Sequence, residues 1–377
     1  MKAGWCTSTL ADTCKMYQPK TISGKEMVDN GLYPVFGANG VIGRYDKFNH
    51  EEPQLLITCR GATCGSVNIS EPKSWITGNA MVVRPKDGSI NIRFLEYLFR
   101  GGLDISKAIT GAAQPQITRT NLAPLEISYP LAVEEQQRIV GILDEAFDGI
   151  ATAKDNAEKN LQNARALFDS YIHSVFTQRG EGWVDRTLDQ VCIVERGSSP
   201  RPIKNYFTTD PDGVNWIKIG DTEEGGKYVY STAQKITPEG AKQSRFVKEG
   251  DFILTNSMSF GRPYIMKTNG YIHDGWFVLR LNISIDTDYF YYLLSSRFVQ
   301  SQFAQLASGS VVKNISGDLV KKAVLPIPPL AHQQVIVEKL LEISAETQRL
   351  ESVYQQKLTA LEALKKSLLD QAFTGNL

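Results

Sequence analysis

The chain has 377 residues, 42% hydrophobic and 22% charged, a composition typical of globular proteins in two or three domains and not of disordered or fibrous chains. Its 41 basic and 41 acidic residues cancel, but small positive excesses fall in residues 1–125 and 183–325, so net charge alone neither identifies nor excludes a nucleic-acid partner. With no apolar run near the roughly 18 residues that span a bilayer and only five scattered cysteines, we expect a cytoplasmic protein with free thiols and no membrane contact.

The first 128 residues and residues 181–326 each have the pattern of a mixed α/β domain. Short apolar runs bounded by Gly, Pro and Asn predict strands, and an aromatic-rich stretch after them predicts a short helix. In the first domain the strands lie over 55–58 and 80–83 and the helix over 93–100; in the second, the strands lie over 252–255 and 276–279 and the helix over 289–297.

Each of these domains is followed by a helical segment, at residues 129–180 and 327–377. In the first segment, apolar residues such as Ile139, Leu143 and Ala146 recur at steps of four and three, with an extra step between Ala157 and Leu161. About 40 helical residues give a rod of roughly 60 Å. A stripe this narrow needs a partner, and we expect the two helices to pack antiparallel on each other.

The second half of the chain repeats the first. Residues 136–140 (QQRIV) match 333–337 (QQVIV) at an offset of 197, and the register holds without a gap to the Phe-Thr pair at 176 and 373. Gly4-Trp5 corresponds to Gly182-Trp183, and Arg84 to Arg280. Repetition of this length predicts a duplicated unit. The fold class is therefore α+β, with two globular α/β-mixed domains separated by two long antiparallel helices that form a coiled coil.

Three groups of residues carry a resemblance to a known family. Proline-rich segments at 130–140 and 327–334 lead into the two helices, residues 111–118 (GAAQPQIT) form a loop before the first of them, and the chain ends in QAFTGNL. In this order and duplication the chain resembles the specificity (S) subunits of type I restriction–modification systems over essentially its whole length. The second loop departs from the pattern, with Val311-Val312-Lys313-Asn314 in place of Ala113-Gln114-Pro115-Gln116.

The resemblance implies a noncatalytic DNA-specificity subunit with target-recognition domains at 1–128 and 181–326 and conserved helical spacers at 129–180 and 327–377. Each domain is then expected to bind one half of an asymmetric, bipartite site in double-stranded DNA, and the helices to set the gap and dock two modification (methyltransferase) subunits. That assembly methylates adenine, and added restriction (motor–nuclease) subunits cleave DNA. The resemblance implies no cofactor in this chain; S-adenosylmethionine, ATP and Mg²⁺ are expected on the partner subunits.

Side chains that pair with base edges or phosphates are Arg, Lys, Asn, Gln and Ser on loops. The basic loop at 196–204 is the most suggestive, whereas Arg84 and Arg280 end strand-like runs, where a structural role is favoured. The predicted DNA-binding residues are Lys20, Lys25, Asn39, Arg44, Arg60, Gln114, Gln116 and Arg119 in the first domain and Arg201, Lys204, Lys218, Asn256, Ser259, Arg262, Lys313 and Asn314 in the second.

No catalytic or metal site is predicted. The turn at 36–40 (FGANG) has the glycines of a cofactor loop but no flanking strand, helix and acidic partner, so we interpret it as a turn. Cys59, Cys64 and His50 fit no standard zinc spacing. Two other functions stay open at this point: a self-contained methyltransferase or nuclease, and a coiled-coil scaffold that binds proteins. Methyl transfer by the chain without partner subunits would identify an enzyme. The absence of salt-dependent binding to duplex DNA would identify a scaffold.

Overall fold

A computed structural model describes residues 4–111, 113–223, 225–256, 261–307 and 316–377. The chain divides into two compact units, and each unit contains part of both long helices. The first unit comprises Met1–Lys159 with Tyr354–Leu377, and the second comprises Asn160–Val353. This division is one of packing; the functional boundaries at 128, 180 and 326 stay a prediction.

The first unit combines short strands with short helices ahead of a long helix. A π-helical turn at Leu98–Gly102 and a 3-10 turn at Ile105–Ala108 lie between them. The elements are β1 (Trp5–Thr9), α1 (Leu10–Thr13), β2 (Cys14–Tyr17), β3 (Tyr33–Gly37), β4 (Gly40–Tyr45), β5 (Leu55–Thr58), β6 (Val67–Ile69), β7 (Trp75–Ile76), β8 (Ala80–Pro85), α2 (Ile92–Tyr97), β9 (Ile109–Thr110), β10 (Gln116–Ile117), α3 (Arg119–Leu122), β11 (Glu126–Pro130) and α4 (Val133–Thr177).

The core of this unit lies under a four-stranded sheet in the order β2-β8-β5-β6. Strand β5 is fully buried because its residues are all apolar apart from Thr58, as expected for a central strand. A second sheet, β4-β3-β7, stands beside it, and β1 pairs with β11 to bring the domain's start next to its end. The predicted strands at 55–58 and 80–83 are confirmed as β5 and part of β8.

The second unit repeats this plan with larger sheets. It also contains 3-10 turns at Ile203–Tyr206 and Ile219–Asp221. Its elements are β12 (Val184–Thr187), α5 (Leu188–Val191), β13 (Cys192–Arg196), β14 (Phe207–Thr208), β15 (Val214–Ile217), β16 (Tyr228–Val229), β17 (Gln234–Ile236), α6 (Pro238–Ala241), β18 (Arg245–Val247), β19 (Phe252–Thr255), β20 (Pro263–Met266), β21 (Gly270–Ile272), β22 (Trp276–Leu281), α7 (Thr287–Ser295), α8 (Arg297–Ala307), α9 (Gly317–Val320), β23 (Val324–Ile327) and α10 (Leu330–Thr374).

The sheet order confirms the duplication that the sequence indicates. The order β13-β22-β19-β20 in the second unit matches β2-β8-β5-β6 in the first, and the pair β12–β23 matches β1–β11. A second sheet has the order β14-β17-β15-β21-β18. The predicted strands at 252–255 and 276–279 are confirmed as β19 and part of β22.

The two long helices, α4 and α10, are each 45 residues, which at 1.5 Å per residue is about 68 Å. The apolar positions predicted to face inward are buried or half-buried in both helices. In the first unit the start of α4 and the end of α10 share one core, through Ile139, Leu143, Leu369 and Ala372. In the second unit the end of α4 and the start of α10 do the same.

Ion pairs give the direction of the two helices within each unit. In the first unit Lys154 Nζ lies 2.8 Å from Glu362 Oε1, and Arg138 Nη2 donates to the carbonyl of Leu377 at 2.9 Å. In the second unit Arg165 Nε lies 2.6 Å from Glu351 Oε1. In the first unit the number of the paired residue on α10 falls as the number on α4 rises; in the second unit the end of α4 packs with the start of α10. The helices are therefore antiparallel in each unit. Exposed pairs of this kind add about 0–1 kcal/mol each, and the shared apolar cores hold the helices together.

Within the part of the chain that the structure describes, no helix is both long enough and apolar enough to cross a membrane.

Candidate nucleic-acid interface

In the first unit, backbone hydrogen bonds bring four loops to one edge of the sheets. The amide of Thr77 donates to the carbonyl of Phe36 at 2.9 Å, and the amide of Cys59 donates to the carbonyl of Asn79 at 3.3 Å. The amide of Gly61 donates to the carbonyl of Pro115 at 3.2 Å. The turn at 38–39 and the loops at 59–66, 77–79 and 113–116 therefore form one cluster, which we call the first loop cluster.

Several predicted DNA-binding residues meet in the first loop cluster. Thr63 Oγ1 donates to Asn39 Oδ1 at 2.9 Å, and Arg60 forms an isolated bridge with Gln116. Gln114 lies at the tip of the hairpin β9–β10. All four predicted side chains here, those of Asn39, Arg60, Gln114 and Gln116, are exposed. The loops contain no Asp or Glu, so their surface offers amides and a cation to an anionic ligand.

The other predicted residues of the first unit lie around this cluster or away from it. Lys20 is next to it, because Gln18 Nε2 donates to the carbonyl of Gly78 at 2.9 Å. Arg119 is exposed and begins α3, directly after the loop at 111–118. Arg44 has a structural contact, since its Nε donates to the carbonyl of Gly31 at 2.6 Å. Lys25 is exposed in the loop before β3.

In the second unit, Asp274 organises the corresponding edge. Its side chain accepts a hydrogen bond from Ser199 Oγ at 2.8 Å and lies 3.6 Å from Arg201 Nη2. Its carbonyl accepts from Arg196 Nε at 3.2 Å and from Asn256 Nδ2 at 2.7 Å. The predicted basic loop at 196–204 thus packs against the turn at 273–275. We call these two segments, with Asn256, the second loop cluster.

Electrostatics around Asp274 keep it charged and its neighbour His273 neutral. Burial works against ionisation of Asp274, but hydrogen bonds, chiefly from Ser199, and the nearby charge of Arg201 hold its pKa below the ordinary value. Burial lowers the pKa of His273. Its Nδ1 accepts a hydrogen bond from the amide of Gly275 at 2.8 Å. One carboxylate therefore partly offsets the positive charge of the loop at 196–204.

The remaining predicted residues of the second unit differ in their exposure. Arg201 and Lys204 are exposed, and Lys218 and Arg262 are half-buried. Asn256 is 1% exposed and ties its strand to the turn at Asp274, so its side chain is not carried into the function proposed below. Ser259, Lys313 and Asn314 lie outside the described residues.

Two buried glutamines have a structural role that the sequence alone did not single out. Gln136, fully buried, accepts the amide of Asn91 at 2.7 Å and donates to the carbonyls of Ser89 and Pro130 at 2.9 and 2.8 Å. Gln333 accepts the amide of Asp286 at 2.8 Å and donates to the carbonyl of Pro328 at 2.9 Å. Asn91 and Asp286 are the N-caps of α2 and α7. Each glutamine therefore fixes a long helix to the domain before it.

The glycine-containing turn at 36–40 has the structure that the sequence predicts. Residues 38–39 form the two-residue turn of the hairpin β3–β4, with Gly40 at a φ of 112° that favours glycine. All five cysteines are free thiols. Among the described residues, no group of three or more His, Cys, Asp or Glu side chains is placed to hold a metal ion.

Comparison with known proteins gives the family. The model of the type I restriction modification DNA specificity domain matches residues 2–162 and again 180–360. The chain belongs to this family. The two matches coincide with the two copies of the repeat, so each copy is one such domain. Proteins of this family supply the DNA-sequence specificity of type I restriction–modification enzymes, whose catalytic activities reside on other subunits.

Curated relatives support the assignment. The type I restriction enzyme MjaVIII specificity subunit of Methanocaldococcus jannaschii is 22% identical over 95% of this chain and 90% of the relative. A putative specificity subunit, S.HindORF215P of Haemophilus influenzae, is 24% identical over 82% and 80%. The EcoprrI specificity subunit of Escherichia coli is 30% identical, but the match spans only 38% of this chain and 36% of the relative.

Solved structures share the fold. A structure described as "Structural basis underlying complex assembly and conformational transition of the type I R-M system" has a TM-score of 0.81 at 17% identity and covers 100% of this chain and 99% of that one. The HsdS subunit from Thermoanaerobacter tengcongensis has a TM-score of 0.67 at 18% identity and covers 100% and 98%.

Proposed function

We propose that this chain selects the target sequence of a type I restriction–modification enzyme by binding an asymmetric, two-part site in double-stranded DNA. The observation that carries the proposal is that a loop-bearing unit and its long helix occur twice in one chain that belongs to a DNA-specificity family. The two copies have diverged in their loops, so the two halves of the site have different sequences. In this proposal the domain boundaries are 1–128 and 181–326 for recognition and 129–180 and 327–377 for the helices.

The base-reading surface of the first unit is the first loop cluster. Amide side chains suit base edges because they donate and accept at once, and Arg60 suits guanine or phosphate. Lys20, Lys25 and Arg119 lie outside the cluster and suit phosphates. In the second unit the exposed cations of the loop at 196–204, Arg201 and Lys204, are the leading contacts, with Lys218 and Arg262 as further candidates and Ser259, Lys313 and Asn314 kept as sequence-based predictions.

The antiparallel helices are proposed to hold the two recognition domains at a set distance, so the site has a gap of fixed length between its halves. They are also the proposed docking surface for two modification subunits, to which motor–nuclease subunits add restriction. S-adenosylmethionine, ATP and Mg²⁺ belong to those partners. Such an assembly acts on chromosomal DNA, and we place it in the cytoplasm.

The test is a map of methylated adenines in cells that express this chain together with its modification subunit. We expect one asymmetric motif of two short sequences separated by a constant number of unspecified base pairs, and none when either protein is omitted. Methylation at a contiguous motif, or at the same motif without this chain, would overturn the proposal. Substituting Gln114 and Gln116 with alanine should weaken or relax only one half of the motif.

A further inference from the structure

Arg84 and Arg280 occupy corresponding positions in the two units. Arg280 lies beside carboxylates, whereas Arg84 lies beside another cation. Arg280, at the end of β22, has its guanidinium 2.5 Å from Glu195 Oε2 and 3.2 Å from Asp251 Oδ2. Its Nη2 also donates to the carbonyl of Phe246 at 2.7 Å. The charge of Arg280 is therefore neutralised within the second unit, and the structural role predicted for it is confirmed.

Arg84, the counterpart of Arg280 in β8, has no such neutralisation. It is exposed, and its direct cross-strand neighbour on β2 is Lys15, which is also exposed. Among the described residues neither side chain has an ion-pair partner. Like charges directly opposite each other on antiparallel strands are destabilising. The titratable groups that respond to Arg84 are Tyr17 and His50, and the pKa of His50 is lowered by burial and then by this cation.

The difference between the two units is present in the sequence of the repeat. At the offset of 178 that relates Gly4 to Gly182, Lys15 corresponds to Ile193 and Tyr17 to Glu195. The strand registers agree, because Ile193 lies opposite Arg280 as Lys15 lies opposite Arg84. The first unit thus has a second cation, Lys15, where the second unit has the apolar Ile193. The first unit also has Tyr17 where the second unit has the neutralising carboxylate of Glu195.

Further cations adjoin this pair along the open edge of β2. Lys15, Tyr17, Lys86 and Arg119 are among the residues that line a cavity there. Lys86 Nζ donates to the carbonyl of Ala11 at 2.6 Å and is within electrostatic reach of two carboxylates, those of Asp12 and Asp87. These two acids flank Lys86; they form no ion pair with Lys15, Arg84 or Arg119 among the described residues.

We call Lys15, Arg84, Lys86 and Arg119 the basic edge. It adjoins the first loop cluster. Arg119 follows the loop at 111–118 directly, and β2 leads through Gln18 to its hydrogen bond with Gly78. A duplex bound at the loop cluster would therefore extend its backbone toward this edge, and phosphates are the ligand that an unneutralised pair of cations attracts most strongly.

We propose that Lys15 and Arg84, with Lys86 and Arg119 beside them, form a phosphate-binding site for the DNA backbone that the second unit lacks. This inference rests on the proposed function, since it adds a positioning contact to the first half of the site. Phosphate contacts fix the orientation of the protein on the duplex without reading sequence. The first unit would then hold DNA of any sequence more tightly than the second.

The test compares full-length variants on a fluorescent duplex of mixed sequence, about 40 base pairs long, across 50–200 mM salt. Each phosphate contact contributes about 0.9 to the slope of log affinity against log salt, so K15Q/R84Q should reduce the slope by about 1.8. Over this range the wild-type protein should lose about 12-fold more affinity than the double variant. The charge-conserving variant K15R/R84K should retain the wild-type slope.

The matched control is Arg280→Gln, the same substitution at the corresponding strand end. It should leave the salt slope unchanged and lower the melting temperature, because it leaves Asp251 buried without its partner. K15Q/R84Q should melt at or above the wild-type temperature, since it removes a like-charge pair, and this readout excludes misfolding as the cause of weaker binding.

The outcomes separate this inference from the proposed function. If the wild-type chain binds the duplex with a steep salt dependence and K15Q/R84Q binds with the same slope, the phosphate site is wrong and the proposed function stands. If K15Q/R84Q instead fails to co-purify with the modification subunit while its slope is unchanged, the basic edge binds protein, which also overturns the inference. If the wild-type chain shows no salt-dependent binding, both proposals fall.

Discussion

Replacing Gln136 with alanine removes three hydrogen bonds at the junction between α4 and the domain before it. The substitution leaves the amide of Asn91 and the carbonyls of Ser89 and Pro130 without their partner. A buried polar group without a partner costs about 1–3 kcal/mol. Only the bond to Pro130 is wholly buried, so the three losses do not add in full and we expect a destabilisation of about 2–4 kcal/mol.

The control for this substitution is the next residue. Gln137 is exposed on the same turn of α4, and Gln137→Ala should change stability by less than about 0.5 kcal/mol. Chemical denaturation measures the difference for the whole chain. Hydrogen exchange locates it, because the amide of Asn91 should exchange about 30-fold faster or more in Gln136→Ala. If Gln136→Ala and Gln137→Ala behave alike in both assays, the buried glutamine does not hold this junction.

Two further predictions concern packing and the thiols. Gly102→Ala should destabilise the first unit by about 1–3 kcal/mol, since an added Cβ would clash with the ring of Phe373. Gly141→Ala in α4 should stabilise the chain by about 1 kcal/mol, because its added Cβ meets nothing within 4 Å. Thermal melting checks both. Burial raises the pKa of Cys192 to about 12, so iodoacetamide at mildly alkaline pH should modify the half-buried Cys6 and Cys64 well before Cys192, and peptide mapping would show the order. Because an unfolded Cys192 ionises near 9.0, its burial makes the folded state lose stability as pH rises from about 9 toward 12.

The sequence predicted those elements whose signal is local. Residues 55–58 and 252–255 are apolar runs, and both form buried strands with the predicted bounds. The helices α4 and α10 follow from apolar spacing sustained over many turns. The short helices were less accurate: the predicted helix at 93–100 ends as α-helix at Tyr97 and continues as a π-helical turn, where Gly101 and Gly102 admit the side chains of Leu369 and Phe373. That contact comes from the far end of the chain, so a local pattern could not indicate it.

The candidate interface was predictable only in part. Asn39, Arg60 and the pair Gln114 and Gln116 lie far apart in sequence, and the backbone hydrogen bonds that join their loops are long-range. Gln136 had an available signal, because it falls three residues before Ile139 on the apolar stripe and recurs as Gln333. A polar residue on the inward face of both copies indicates a buried hydrogen bond. Asn256 is the opposite case, because its position beside a loop predicts a surface group but its side chain is buried.

A change in helix length tests most directly whether the long helices set the distance between the two recognition domains, as we propose. Both long helices cross the boundary between the units, after Lys159 in α4 and after Val353 in α10. Inserting one heptad at each point keeps the apolar stripe in register and lengthens each helix by about 10 Å, or about three base pairs of duplex. The methylated-adenine map should then show the same two half-sites with a gap longer by about three base pairs. An unchanged gap, with methylation intact, would show that the long helices do not set the distance between the half-sites.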